Sequence, residues 1–88
     1  MKARLVKDPK KMFNVYNDLN PAAAKILAFM IFTEKPFTPF KLTYWKLSKL
    51  TKVKNPYLSV KELIDKGYIS KDVMNKECIW TILIDLVE

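Results

Sequence analysis

The sequence predicts an α+β fold in which four helices are followed by a two-stranded β-hairpin. Three observations carry this. Four of the five prolines follow a residue able to cap a helix, in Asp8-Pro9, Asn20-Pro21, Thr38-Pro39 and Asn55-Pro56, and each pair stands ahead of a helix-like apolar pattern. The only glycine, Gly67, stands where helical spacing ends. Beyond it the apolar residues alternate, which is the period of a strand. The chain has 88 residues, half of them apolar and 28% charged, the size and composition of one domain spanning residues 1–88 around a modest core.

Residues 1–7 read as a loose arm. The first helix, residues 9–19, places Met12, Phe13, Tyr16 and Leu19 on one face and Lys10, Lys11, Asn14 and Asn17 largely elsewhere. The second, residues 21–33, is different. Ala22, Ala23, Ile26, Leu27, Phe29, Met30, Ile31 and Phe32 cover nearly its whole circumference. A helix apolar all round is buried all round, and one small core can hardly cover it, so part is expected to meet another subunit.

The third helix starts at Pro39 or, if residues 37–42 are extended, nearer Thr43. Phe40, Thr43, Tyr44, Leu47 and Leu50 share a face, with Lys41, Trp45, Lys46 and Lys49 mainly on the other. The fourth, residues 56–66, turns Val60, Leu63 and Ile64 inward, and Gly67 supplies its left-handed stop. Residues 20–67 thus form a three-helix core. About residues 51–55 separate the last two helices. Residues 68–73 and 78–87 read as strands around the polar turn Met74-Asn75-Lys76-Glu77. In the second strand Cys78, Trp80, Ile82, Ile84 and Leu86 point one way. Ile79, Leu83 and Val87 on the other face are also apolar, so cover is expected on both sides.

Sixteen Lys+Arg against nine Asp+Glu leave a net charge of +7, which favours a polyanionic partner, either nucleic acid or an anionic membrane surface. The longest apolar run, residues 26–32, is too short to span a bilayer, and residues 1–11 lack a signal-peptide pattern, so a cytoplasmic location is expected. One cysteine and no histidine exclude an internal disulfide, a thiol–imidazole metal site and Cys–His or Ser–His–Asp catalysis within one chain. Glu62, Asp65 and Asp72 are carboxylates near one another in sequence, but no second functional group joins them. No enzyme activity, metal or cofactor is expected. Cys78 reads as a small apolar core residue.

The order helix, helix, short turn, helix, glycine and hairpin resembles that of winged-helix DNA-binding domains. The segment Val60-Lys61-Glu62-Leu63-Ile64-Asp65-Lys66-Gly67-Tyr68-Ile69 looks like the end of their recognition helix entering the wing. Val60 and Leu63 match the apolar pair, Lys66-Gly67 the basic-glycine step, and Tyr68-Ile69 the strand start. The likeness covers roughly residues 20–85. With its additional N-terminal helix the chain looks most like small archaeal or bacterial regulators of the PadR and MarR type, and in outline like winged-helix plasmid-partition proteins. Those regulators often add a C-terminal dimerisation helix. Here the first two helices would have to form a homodimer, through Met12, Phe13, Tyr16, Phe29 and Phe32.

The resemblance implies double-stranded DNA as partner and a nucleoid-associated regulator as the role. A partition protein that binds and spreads on centromeric DNA, or a module that binds a protein partner, are its rivals. From Lys35 to Lys61 there are seven lysines and no acidic residue, and this is the helix-turn-helix that would meet DNA. Lys46, Lys49, Lys52 and Lys54 are expected on phosphates. Asn55, Tyr57, Leu58, Ser59 and Lys61 lie in the part of the recognition helix that reaches base edges. Lys61 could donate to guanine, Asn55 to adenine, and Leu58 could touch a thymine methyl. Asn55 reads equally as a helix cap, and Tyr57 as a core residue. Lys71 and Lys76 bracket the wing and could reach a neighbouring phosphate. Trp45 either stacks on sugar-phosphate or, as expected here, packs on the first helix. For single-stranded RNA, which favours aromatic stacks on a sheet, only Trp80 and Tyr68 offer themselves.

Overall fold

A computed structural model describes residues 6–87. Within them the order is α1 (Pro9–Asn17), α2 (Pro21–Thr33), β1 (Phe40–Lys41), α3 (Tyr44–Thr51), α4 (Pro56–Asp65), β2 (Ile69–Met74) and β3 (Glu77–Ile82). The strands form one antiparallel sheet in the order β1-β3-β2. Four helices and a hairpin are as the sequence predicts. β1 is the addition.

Three of the four capping residue–proline pairs start helices. The side chains of Asp8, Asn20 and Asn55 accept from the N–H groups of Lys11, Ala22 and Tyr57, with proline at the next position. Thr38-Pro39 starts none. Residues 40–41 instead pair with the free edge of β3, Phe40 opposite Trp80 and Lys41 opposite Ile79, and the Trp80 indole donates to Leu42 O at 2.8 Å. Those bonds hold the segment extended until Thr43 caps α3 through the N–H of Lys46.

Gly67 ends α4 as expected, at φ +79°. Its N–H bonds Ile64 O and that of Tyr68 bonds Leu63 O, the paired bonds of a Schellman stop. The β2–β3 turn closes on Asn75 and Lys76, both at positive φ (52° and 66°), the signs of a type I′ turn made without glycine. β3 stops at Ile82, short of the expected residue 87. Beyond it Leu83 is exposed while Leu86 and Val87 are buried, and Val87 bridges Val6. Lys7 donates to Leu86 O and pairs with Asp85, so Val6 and Lys7 are tied down; the rest of the expected arm, residues 1–5, lies outside the described residues.

The core is built from Val15 and Leu19, then Ala23, Ile26, Leu27, Met30 and Ile31 of α2, with Leu47, Val60, Leu63, Ile69, Trp80, Ile82 and Leu86. Two expectations are corrected here. On α1 the inward residue is Val15, with Met12 and Tyr16 half-buried, while Phe13 is 66% exposed. On α2 most of the apolar circumference is covered by this chain alone, because α4, α3 and the sheet pack around it. Phe29 packs against the core and Phe32 is exposed at the helix end. No helix among the described residues is long and apolar enough to cross a membrane.

Candidate nucleic-acid interface

The acid-free stretch of the sequence becomes the α3–α4 pair and the turn between them. Lys52 ends α3 in the left-handed conformation, φ 61°. Around it Ser48 donates to Val53 O at 2.6 Å, and Val53 N–H reaches the Thr51 hydroxyl. These bonds and the half-buried Val53 fix where α4 begins relative to α3. A second anchor lies at the far end of α4. The Glu62 carboxylate accepts from the Asn20 N–H at 2.9 Å, and Lys66 reaches Glu62, the Asp18 carboxylate and the Asp18 carbonyl oxygen. The α1–α2 corner therefore holds α4 in place, and buried Pro56, Val60 and Leu63 set its inner face.

Lys46, Lys49, Lys52, Lys54, Lys61 and Lys76 are exposed, and among the described residues none is in an ion pair. Lys41 differs, since it is held by Glu77 at 2.9 Å. Lys46 and Lys76 meet across a cleft of about 340 Å³ between the hairpin turn and the start of α3, lined also by Lys41, Leu42, Thr43, Tyr44, Glu77 and Cys78. Asn55 is the cap of α4 through its Oδ1, and its NH₂ group remains as a donor. Leu58 is 72% exposed and Lys61 stands one turn further along the same helix. Ser59 leaves the outward set, because at 7% exposure it is buried beside Val60.

Lys71 does not sit free on the hairpin. Its Nζ donates to the Tyr44 hydroxyl at 2.9 Å and lies 4.8 Å from the centre of that ring. That hydrogen bond raises the Lys71 pKa above its ordinary value, against a smaller opposing effect of desolvation. Tyr57, for which a core position was one reading, is 61% exposed and stacks on Tyr44, with ring centres 4.2 Å apart. Trp45 corrects its expected packing on the first helix. It is 67% exposed, with Lys49 Nζ 4.8 Å from its ring centre. Trp80 and Tyr68, the rings the sequence suggested for stacking, are buried and half-buried respectively.

Tyr44, which periodicity places only on the apolar face of its helix, is the hub that joins α3, α4 and the hairpin. No spacing announces that hub, whereas the separate Trp45–Lys49 contact does have one: the two stand four apart on one helix, the spacing that lays an ammonium over a ring. No family model matches the chain, and no curated protein or solved structure is significantly similar to it.

Proposed function

We propose that this chain is a winged-helix protein that binds double-stranded DNA as a homodimer and regulates transcription. In this reading α3 and α4 form the helix-turn-helix, α4 enters the major groove, and the β2–β3 hairpin is the wing. The observation that carries it is the concentration of exposed, unpaired lysines on and beside α3 and α4. The carboxylates in ion pairs hold Lys7, Lys41 and Lys66 instead. Ammonium groups left without counter-charges on one helix pair attract a phosphate backbone and gain from the counterions it releases.

Lys46, Lys49, Lys52 and Lys54 contact phosphates as point charges and fix the register of the protein on the duplex. The Asn55 amide, Leu58 and Lys61 face base edges. In the homodimer, exposed Phe13 and Phe32 supply apolar surface, and light scattering in solution reads the assembly. A partition protein would use the same contacts, and a neighbouring partition ATPase gene would mark it. Gel shifts of the full chain on random and genomic duplexes test the reading across a salt series. Binding at low salt with a steep loss as salt rises is expected, and a flat salt dependence overturns the phosphate contacts.

Lys76→Gly separates two roles of one residue. A glycine relieves the positive φ at the turn, so the protein gains about 0.5–1 kcal/mol of stability in urea unfolding. Duplex affinity falls in the same variant, because the charge at the cleft is lost.

A further inference from the structure

Trp80, Tyr44 and Tyr57 form a ladder of rings that runs from the core to the surface. Trp80 is fully buried and held by its bond to Leu42 O. Tyr44 meets it edge-on, with centres 5.5 Å apart and planes at 82°. Tyr57 lies over Tyr44 with planes 27° apart. Lys71 grips the middle ring from the hairpin, so three elements hold it. Only Tyr57, the outer rung, opens to solvent. A tyrosine recruited to close a core ends up covered, but this one is supported on one side and left open otherwise. Trp45, next in sequence to Tyr44, is also open and carries Lys49 over its ring.

Exposed rings among unpaired lysines are what unpaired bases need. A ring offers its face to any base while ammonium groups follow the phosphates. An intact duplex hides its base faces in the stack and shows only their edges. We infer that Tyr57 is a stacking platform for an unpaired base, so that the α3–α4 face prefers DNA in which one base is bulged or flipped out of the duplex. The platform is built before binding, because Tyr44, itself held by Lys71, already supports the Tyr57 ring and reduces the side-chain freedom left to lose. This rests on the nucleic-acid reading above and adds to it the kind of site that is bound.

Fluorescence anisotropy of the full chain tests it on a short labelled duplex, the same duplex with one unpaired adenine, and its single strand. The bulged duplex is expected to bind about tenfold tighter than the intact one. Tyr57→Leu removes that preference, so that it binds the bulged and the intact duplex alike, while Tyr57→Phe keeps the preference. Circular dichroism confirms that the variants fold. A fluorescent aminopurine at the bulge is quenched by the wild type and by Tyr57→Phe but not by Tyr57→Leu. Equal affinity for bulged and intact duplex, or a preference that survives Tyr57→Leu, overturns the inference and leaves the duplex reading standing. Preference for the single strand over both duplexes keeps Tyr57 stacking only if Tyr57→Leu abolishes it. Failure to bind any of the three removes the nucleic-acid reading itself.

Discussion

Replacing Lys46, Lys49, Lys52 and Lys54 together with alanine is expected to abolish most of the salt dependence of duplex binding. On the proposed duplex reading, four phosphate contacts give a slope of about −3.6 in log affinity against log salt, so the wild type is expected to lose roughly a hundredfold between about 50 and 200 mM. The quadruple variant keeps only the contribution of its remaining lysines and binds weakly throughout. Its fold should survive, since none of the four is in an ion pair among the described residues and all are exposed. Alanine at position 52 carries a β-carbon as lysine does, so the left-handed turn is no worse off. The control is a triple alanine variant of Lys10, Lys11 and Lys25, exposed on α1 and α2. It lowers net charge almost as far and is expected to leave the slope near that of the wild type. If the two variants weaken binding alike, the protein responds to net charge and the α3–α4 face has no special part.

Much of the fold was legible because local chemistry dictates it. Asp8, Asn20 and Asn55 each accept from the first turn of the helix they precede, and Gly67 takes the one conformation that glycine makes easy. Thr38-Pro39 has the same local signature and fails, because its outcome is decided by a partner 40 residues away. The free edge of β3 and the Trp80 indole outcompete a helix start that spacing alone favours. α2 misled for a related reason. Its sequence shows that it is apolar all round but not how much of it the chain itself can cover: Ala23, Ile26, Leu27, Met30 and Ile31 are buried, Ala24 and Phe29 are partly buried, and Lys25 and Phe32 stay exposed. The lysine-rich face was legible from charge alone. The stack of Tyr57 on Tyr44 was not, since both rings fall at helix starts where turn geometry, and not periodicity, decides which way they point.

Trp80→Ala is expected to be the most damaging single change in the molecule. Its side chain is fully buried, lies opposite Phe40 of β1, meets Tyr44 edge-on and bonds Leu42 O. Truncation leaves a cavity and an abandoned carbonyl, at a cost of about 3–5 kcal/mol. A domain of this length is stable by roughly 4–13 kcal/mol in all, so the loss consumes a large share of it. Trp80→Phe refills most of the space and loses only the indole donor, so urea unfolding should place it between wild type and alanine. Fluorescence gives a second reading of the same variant. Trp45 is exposed and emits to the red while Trp80 emits to the blue, so Trp80→Phe leaves only the red component. A blue component that persists would show that Trp80 is not the buried ring. Near-wild-type stability of Trp80→Ala would remove the ladder from Trp80 to Tyr57, and with it the support that holds the outer ring in place.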